Sequence, residues 1–357
     1  IFSDDLHANC AIQQLLKCMD DDNSIPSIFK TLASSEDPKY FQYSTDDMFR
    51  IFDSSTFPND IDFHYASSSK RADFGCLPKV GRYFAVIDNK AFFWRISGGI
   101  LGEYICIDDE VITSVCSIKA PKEYFPKSVE NLIVIGSPNF IKFYPIVNDS
   151  LLQKCSDFLQ IDFTPLCMDS YMDNLVIGGS DGNIHTCKFI PLDKLADNDG
   201  RLEITNVSSK WYSFLPGLLL LRRKPQIIKI KFDPSSEFLG AIDENNRILL
   251  MSFNFNDGII KSELYVPPKG SKIVAISFVP LSDSEQIRLI AFTSNGERLF
   301  FGTTKKLFGI KSQIGLRGER KPPLELSGNI VVDGFYILGY TFFVCKKSLI
   351  VLRIDTS

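Results

Sequence analysis

Histidine is scarce in this sequence, and the motifs that build catalytic or metal sites are missing. The 357 residues include three histidines, His7, His64 and His185, and none of them stands in an HExxH or HxxEH pattern. No GxSxG, P-loop or GxGxxG motif opens a helix after a strand. His185 and Cys187 alternate onto one face of a strand, but a histidine satisfied by protein neighbours is the commoner use of such a position. We therefore expect no catalytic residue, no cofactor and no metal site.

Paired cysteines and long apolar runs are also lacking. The nine cysteines form no CxxC pair, and an odd number in a chain of this length indicates a reducing compartment. No apolar stretch approaches the roughly 20 residues that a membrane-spanning helix needs, and the first residues carry no signal-peptide pattern, so no transmembrane segment is expected. The net charge of -4 gives no global electrostatic reason to bind nucleic acid. Any cationic function has to be local.

What the sequence does contain is a series of hairpins. From about residue 40 onward, an apolar segment, a short polar turn and a second apolar segment recur. The series reads RYFAVIDNKAFFWRI, NLIVIGSPNFIKFYPI, NLVIGGSDGNIHTCKFI, FLGAIDENNRILLMSF, RLIAFTSNGERLFFG and FYILGYTFFVCKKSLIVLRI. Asp181-Gly182 and Asn295-Gly296 supply the turn residues that tolerate positive φ most readily.

The hairpins recur at a nearly regular interval, with consecutive turns 43 to 64 residues apart. The turns fall at Asn89, Asn139, Gly182, Asn246, Gly296 and Lys347. A unit of about 40 to 50 residues with four strands is the pattern of a β-propeller blade. The hairpins would then be the two middle strands of each blade, and the lead-in segments ITSVCSIKA, IIKIKFDP and IVAISFVP would be innermost strands.

A seventh hairpin, YFQYSTDDMFRIF at residues 40–52, completes the count, so we predict an all-β, seven-bladed β-propeller. The sequence has no WD dipeptide and no GH pair and is not a regular WD40 array; a two-sheet sandwich or two β domains are the alternatives. In the first 40 residues, Leu6, Ile12, Leu15 and Leu16 lie near helical spacing. We expect a short N-terminal helical extension and linker at residues 1–40 and the propeller at residues 41–357.

One interval between hairpins is too long. The 64 residues between Gly182 and Asn246 exceed the other intervals by 13 to 21 residues, so something is inserted there. The inserted material includes KWYSFLPGLLLLRRK, Lys210 to Lys224, in which no polar side chain occurs from Phe214 to Leu221 and three cations follow. A connection between blades is normally exposed and polar. The composition of this connection, in contrast, is that of a buried apolar segment.

Several segments taken together resemble one protein family. FGCLPKVGRYFAVIDNKAFFWRI, residues 74–96, carries a glycine, an apolar residue before proline, an aromatic-rich strand ending in Ile-Asp, a turn and a strand ending at Trp94. Four more segments follow in the same order as in that family: EYFPKSVENLIVIGSP, GGSDGNIHTCKF, SFLPGLLLLRRKPQIIKIKFDPSSEFLGAIDENNRILLMSFNFNDG and IRLIAFTSNGERLFF. The sequence thereby resembles the large inner-ring scaffold nucleoporins, which join an N-terminal seven-bladed propeller to an α-solenoid. The similarity covers most of the propeller, and the first 70 residues match only loosely.

The resemblance implies a role for the apolar connection. In this family, a loop between the third and fourth blades is implicated in contacting the pore membrane, and Ser213 to Leu221 occupy the matching positions. The residue types agree, because Pro216 can open a short helix, the aromatic rings favour the headgroup level, and the cations suit anionic lipid. The residues expected to contact the membrane are Trp211, Tyr212, Phe214, Leu215, Leu218, Leu219, Leu220, Leu221, Arg222, Arg223 and Lys224. The alternative is that residues 218–221 pack as a buried strand under the blades.

The resemblance further implies a non-enzymatic scaffold domain of the nuclear pore complex, peripheral to the membrane of the nuclear envelope and serving nucleocytoplasmic transport of protein and mRNA. It implies other inner-ring nucleoporins and the lipid surface as partners, with no direct nucleic acid contact. Another propeller-type scaffold or coat protein is the alternative in the same class. A propeller hydrolase with its active site at the central channel is the alternative in another class, but the lead-in segments carry mostly small and apolar residues.

Overall fold

The computed structural model describes residues 61, 72–95, 103–107, 110–197, 200–208, 224–233, 238–254, 258–268, 270–280, 284, 287–304, 313–322, 330–337, 340–345 and 349–353. These residues are mostly strands, and they fall into two compact units, one within Ser55–Leu264 and one within Tyr265–Ser357. The helical extension predicted at residues 1–40 and the hairpin predicted at residues 40–52 lie outside the described residues.

Four sheets lie in the first unit, and their strands neighbour one another in chain order except for the last strand of the second sheet. The first sheet consists of Ala72–Leu77 (β1), Arg82–Ile87 (β2), Lys90–Arg95 (β3) and Glu103–Cys106 (β4). The second consists of Ser114–Lys119 (β5), Val129–Gly136 (β6), Phe140–Val147 (β7), Ser150–Leu151 (β8) and Asp157–Gln160 (β9), with β8 and β9 both paired to β7. The third consists of Pro165–Tyr171 (β10), Asn174–Gly179 (β11), Ile184–Phe189 (β12) and Leu202–Asn206 (β13). The fourth consists of Ile227–Phe232 (β14), Phe238–Asp243 (β15), Ile248–Asn254 (β16) and Gly258–Tyr265 (β17).

Two sheets lie in the second unit. The fifth sheet consists of Ile273–Phe278 (β18), Ile287–Thr293 (β19), Arg298–Thr304 (β20) and Gln313–Arg320 (β21). The sixth consists of Val331–Ile337 (β22), Tyr340–Cys345 (β23) and Leu349–Arg353 (β24). Two short 3-10 helices, Pro78–Val80 and Leu192–Asp197, connect strands within the first unit. Within the described residues, no helix combines the length and apolar character that crossing a membrane requires.

The predicted hairpins are confirmed as the second and third strands of the six described sheets. Four of their turns contain a residue in the left-handed region: Asp88 (φ 53°), Gly182 (φ 74°), Asn246 (φ 63°) and Gly296 (φ 88°). These residue types tolerate that conformation, which explains why the turns were visible in the sequence. Since six sheets are described, the predicted count of seven blades is not tested.

The middle strands of the second and third sheets are apolar because neighbouring sheets cover both of their faces. The residues Leu132 to Ile135 of β6 are each 0 % exposed, and so are Leu175 to Ile177 of β11. Hydrophobic clusters fill the spaces between the first and second, second and third, and third and fourth sheets, and between the fifth and sixth. A strand buried on both faces reads as a continuous apolar run rather than an alternating one.

The three lead-in segments named above form the first strands of the second, fourth and fifth sheets, β5, β14 and β18, as predicted. In the first unit β10 contacts both β5 and β14, and in the second unit β18 contacts β22. First strands therefore lie beside the first strands of the neighbouring sheets, which is the arrangement of innermost strands in a propeller.

Candidate functional site

The inserted segment joins the third sheet to the fourth. β13 ends at Asn206 and β14 begins at Ile227, so the extra residues do lie between two sheets. Of the residues predicted to contact the membrane, Lys224 is described, and those from Trp211 to Arg223 lie outside the described residues. The structure thus defines the base of this connection, namely the residues on either side of 209–223.

The two ends of the connection meet at one side chain, Asn183, in the turn between β11 and β12. The Lys224 ammonium group donates a hydrogen bond to Asn183 Oδ1 at 2.8 Å. The Ser208 hydroxyl lies 3.2 Å from the same oxygen, and Ser208 is 1 % exposed. The chain therefore leaves the third sheet and returns to it at a single fixed point.

The outgoing end is held by further hydrogen bonds to the start of β12. Ile184 N donates to Ser208 Oγ at 2.9 Å, and Val207 N donates to the Ile184 carbonyl at 2.9 Å. Asn206 Oδ1 accepts a hydrogen bond from Ser208 N at 3.0 Å. The two bonds to Ile184 continue the contact with β12 beyond the last residue of β13.

The returning end passes close over the turn at Gly182. A Cβ atom on this residue would lie 2.5 Å from Lys224 Cβ and 2.6 Å from the Pro225 carbonyl oxygen. Glycine is required here for two reasons. A Cβ atom would clash with the returning chain, and the φ of 74° is one that other residues rarely adopt. The Gln226 carbonyl then accepts a hydrogen bond from Glu244 N at 2.8 Å, which ties the chain to the fourth sheet.

A partly buried cluster of polar side chains supports the turn that carries Asn183. Asp181 accepts hydrogen bonds from Asn183 N at 3.0 Å and from Asn183 Nδ2 at 2.6 Å, and it pairs with His185 Nε2 at 3.0 Å. Burial raises the pKa of Asp181, but the hydrogen bonds from His185 and Asn183 outweigh it and hold the pKa at about 2. The His185 ring stacks on Phe163 with 3.9 Å between ring centroids. The turn is thus fixed by charge-assisted hydrogen bonds and by stacking.

The geometry around His185 and Cys187 confirms the interpretation of a satisfied histidine. His185 is 7 % exposed and pairs with Asp181, whereas Cys187 is 1 % exposed within the hydrophobic core. Burial raises the pKa of the Cys187 thiol to about 12, which disfavours the thiolate that would bind a metal. In the part of the chain that is described, no cluster of three or more potential metal ligands occurs.

Other groups of catalytic type at or near this turn also have structural partners. Gly178 to Gly182 spell GxSxG, but they join two strands, and Ser180 Oγ accepts a hydrogen bond from Thr164 N at 2.9 Å. On the neighbouring strand β10, the Asp169 carboxylate accepts hydrogen bonds from Ser170 N and Phe232 N at 2.9 and 2.8 Å. This arrangement stabilises a connection between sheets and does not pair a nucleophile with a base.

Sequence reasoning missed the residues that form this base. Asn183 and Ser208 are 25 positions apart, and neither stands out in the sequence. The available signal was Asn183 directly after the Asp181-Gly182 turn, since short polar side chains at turns commonly bond to nearby backbone.

Comparison with known protein families gives a match over most of the chain. The family described as Nup133 N terminal like matches residues 44–338. A curated relative, nucleoporin NUP170 of Saccharomyces cerevisiae, is 22 % identical and aligns with 77 % of this chain and 21 % of its own length. The chain therefore spans about a fifth of the length of that relative.

Comparison with solved structures gives matches to β-propellers. The N-terminal domain of Chaetomium thermophilum Nup170, solved as a complex with Nup53, matches with a TM-score of 0.66 and 18 % identity over 81 % of this chain and 47 % of the other. The β-propeller domain of Cps50 (Swd1) from Myceliophteria thermophila matches with a TM-score of 0.51 and 9 % identity over 78 % of this chain and 81 % of the other. These matches confirm the predicted propeller class.

Proposed function

The chain belongs to the Nup133 N-terminal-like family of nucleoporins, and from this premise we propose that it is a non-enzymatic scaffold of the inner ring that docks other nucleoporins and touches the pore membrane. Nucleoporins are constituents of the nuclear pore complex, so the chain is a β-propeller scaffold domain of that assembly at the nuclear envelope. Inner-ring position, docking and membrane contact are the proposed parts.

One observation carries the membrane proposal: both ends of the apolar connection bond to Asn183. A segment of this composition gains most from a lipid surface when its ends are fixed, since less conformational freedom is then lost on binding. Inserting each leucine or phenylalanine contributes about 1.5–3 kcal/mol, and each cation near an anionic surface contributes about 1 kcal/mol. The attachment of one copy would be reversible, and many copies in one assembly would make it firm.

The docking part of the proposal is supported by the structural relative. The C. thermophilum Nup170 N-terminal domain was solved in complex with Nup53, and this chain has the same fold. We propose that this chain likewise binds another nucleoporin, of the Nup53 type, as part of the inner ring. Pull-down of purified Nup53 by the purified chain tests this independently of any lipid.

Flotation with small anionic liposomes tests the membrane proposal. The parent chain should float, and Leu219→Asp combined with Leu220→Asp should abolish flotation, since about 3–6 kcal/mol of apolar burial is lost and two anions meet an anionic surface. The matched control is Leu152→Asp combined with Leu192→Asp. Those leucines are 43 % and 51 % exposed on described parts of the first unit, so the control adds the same charge elsewhere.

Thermal unfolding separates the two interpretations of the apolar run. If residues 218–221 face lipid, the double variant should keep the parental melting temperature. If they pack as a buried strand, two buried carboxylates should unfold the chain or make it insoluble. Flotation that is lost in the double variant, retained in the control and accompanied by unchanged melting supports the membrane role. A parent chain that does not float contradicts it.

A further inference from the structure

A large cavity opens at the far ends of the innermost strands in the first unit. It has a volume of about 980 Å³ and is lined by residues at the carboxyl ends of β5, β10 and β14, together with the 3-10 helix at Pro78–Val80 and the connection from β5 to β6. The base of the long connection lies at the other ends of these strands, where β14 begins. The cavity is therefore separate from the site described above.

The lining of this cavity is cationic although the chain as a whole is acidic. Five lysines line it against two carboxylates, whereas the net charge of the chain is -4. The lysines are Lys79, Lys119, Lys122, Lys127 and Lys231, and the acids are Glu130 and Asp169. Like charges brought together at this density repel one another and attract an anion.

Most of these cations have no counter-charge among the residues that the structure describes. The Lys79 ammonium group donates to the Ser170 carbonyl and hydroxyl at 2.8 and 2.9 Å, and both Asp169 oxygens are occupied by backbone N–H groups. For the other four lysines, no hydrogen bond or ion pair of the ammonium group is present among the described residues. These four charges are available to a ligand.

Apolar side chains lie among the lysines. Phe125, Val129, Tyr171 and Phe232 contribute to the lining, and Met172 at the rim is 54 % exposed. Met172 also has a φ of 54°, a conformation that is uncommon for a residue of this type, and its carbonyl accepts the Lys119 N–H at 2.9 Å. The turn thus holds a large, adaptable apolar side chain beside the cations.

We propose that this cavity binds an acidic segment of a partner protein that also carries apolar side chains. Carboxylates of such a segment pair with the four lysines, and its apolar groups cover Met172 and the aromatic rings. A polyphosphate or nucleic acid fits less well, because the described lining contains no arginine to clamp phosphate and its apolar part would stay uncovered. This inference deepens the docking role proposed above, with a partner class chosen by charge.

A fluorescent peptide of alternating glutamate and leucine is the probe. Its binding to the full chain should weaken by about tenfold in Lys119→Gln combined with Lys231→Gln, and should also weaken as salt is raised. The matched control is Lys154→Gln combined with Lys188→Gln, since both of those lysines are exposed and lie outside the lining. A second peptide with glutamine in place of glutamate should bind much less tightly to the parent.

Several results would overturn the proposal. Absence of binding by the parent would do so, and equal loss of binding in both lysine variants would show a general charge effect. Displacement of the peptide by an equal concentration of pyrophosphate would show that the cavity binds anions in general rather than an acidic segment with apolar side chains. Liposome flotation of the Lys119→Gln/Lys231→Gln variant should equal that of the parent, so this proposal and the membrane proposal fail or succeed separately.

Discussion

Asn183→Ala is the most informative single substitution at the base of the connection. It removes three hydrogen bonds at once: from Asn183 Nδ2 to Asp181, and to Asn183 Oδ1 from Lys224 and from Ser208. The bond from Asn183 N to Asp181 Oδ1 is kept, so the turn itself should still form. The substitution therefore releases Lys224, at the returning end, from Asn183, while Val207 and Ser208 still hold the outgoing end to Ile184.

The expected cost follows from the chemistry of the three bonds. Hydrogen bonds to charged groups contribute about 1.5–3 kcal/mol each, and a neutral bond about 0.5–1.5 kcal/mol. Asn183 and Lys224 are only partly buried, so water replaces part of what is lost. We expect a net decrease of about 2–4 kcal/mol in the free energy of unfolding. For a unit of this size, that corresponds to a melting temperature lower by roughly 5–12 °C.

The assay is thermal unfolding of the parent and the variant beside Asn174→Ala. Asn174 lies at the opposite end of the same hairpin and makes one local hydrogen bond, from its Nδ2 to Asp173 Oδ1 at 3.1 Å. The control should lose less than about 1 kcal/mol. An Asn183→Ala variant that melts within about 1 °C of the parent would refute the conclusion that this side chain fixes the connection.

Three further predictions concern the same unit. Asp181→Asn should cost about 1–2 kcal/mol at pH 5, and this difference should disappear between pH 4 and pH 2 in denaturant titrations, because the folded-state pKa of about 2 lies below the ordinary value of 3.8. Arg82 is a fully buried side chain paired with Glu103, 28 % exposed, and Asp149, 58 % exposed. Urea unfolding should therefore show that Glu103→Gln costs about 2–4 kcal/mol and Asp149→Asn less than about 1 kcal/mol. Gly178→Ala should lower the melting temperature at a cost of about 1–3 kcal/mol, because its Cβ would lie 2.5 Å from a cysteine sulfur and 2.6 Å from an isoleucine methyl group.

The blade pattern could be predicted because its causes are local. A middle strand that is buried on both faces is continuously apolar in the sequence, as at residues 132–135. Four of the hairpin turns contain a residue with positive φ, and the glycines among them, Gly182 and Gly296, mark their turns directly. The recurrence of these hairpins at a nearly regular interval predicts the propeller.

The two candidate sites could not be predicted in the same way, because their residues meet only through the fold. Asn183 and Lys224 are 41 positions apart, and the bond between them depends on the path of the chain between two sheets. The lysines of the cavity come from separate strands and connections. We also expected lead-in segments to carry mostly small and apolar residues, whereas Lys231 of the lead-in strand β14 is exposed and lines the cavity.

The positions of the two sites determine whether they can act together. The connection returns at the start of β14, and Lys231 of the cavity lies near the end of that strand. The four residue steps from Ile227 to Lys231 span about 13 Å, which exceeds the Debye length of about 8 Å at physiological ionic strength. Anionic lipid at the connection should therefore neither compete with nor attract an acidic segment in the cavity. Under the two proposals, membrane and partner protein are bound at opposite ends of the same strands, and peptide affinity measured with and without liposomes should be the same.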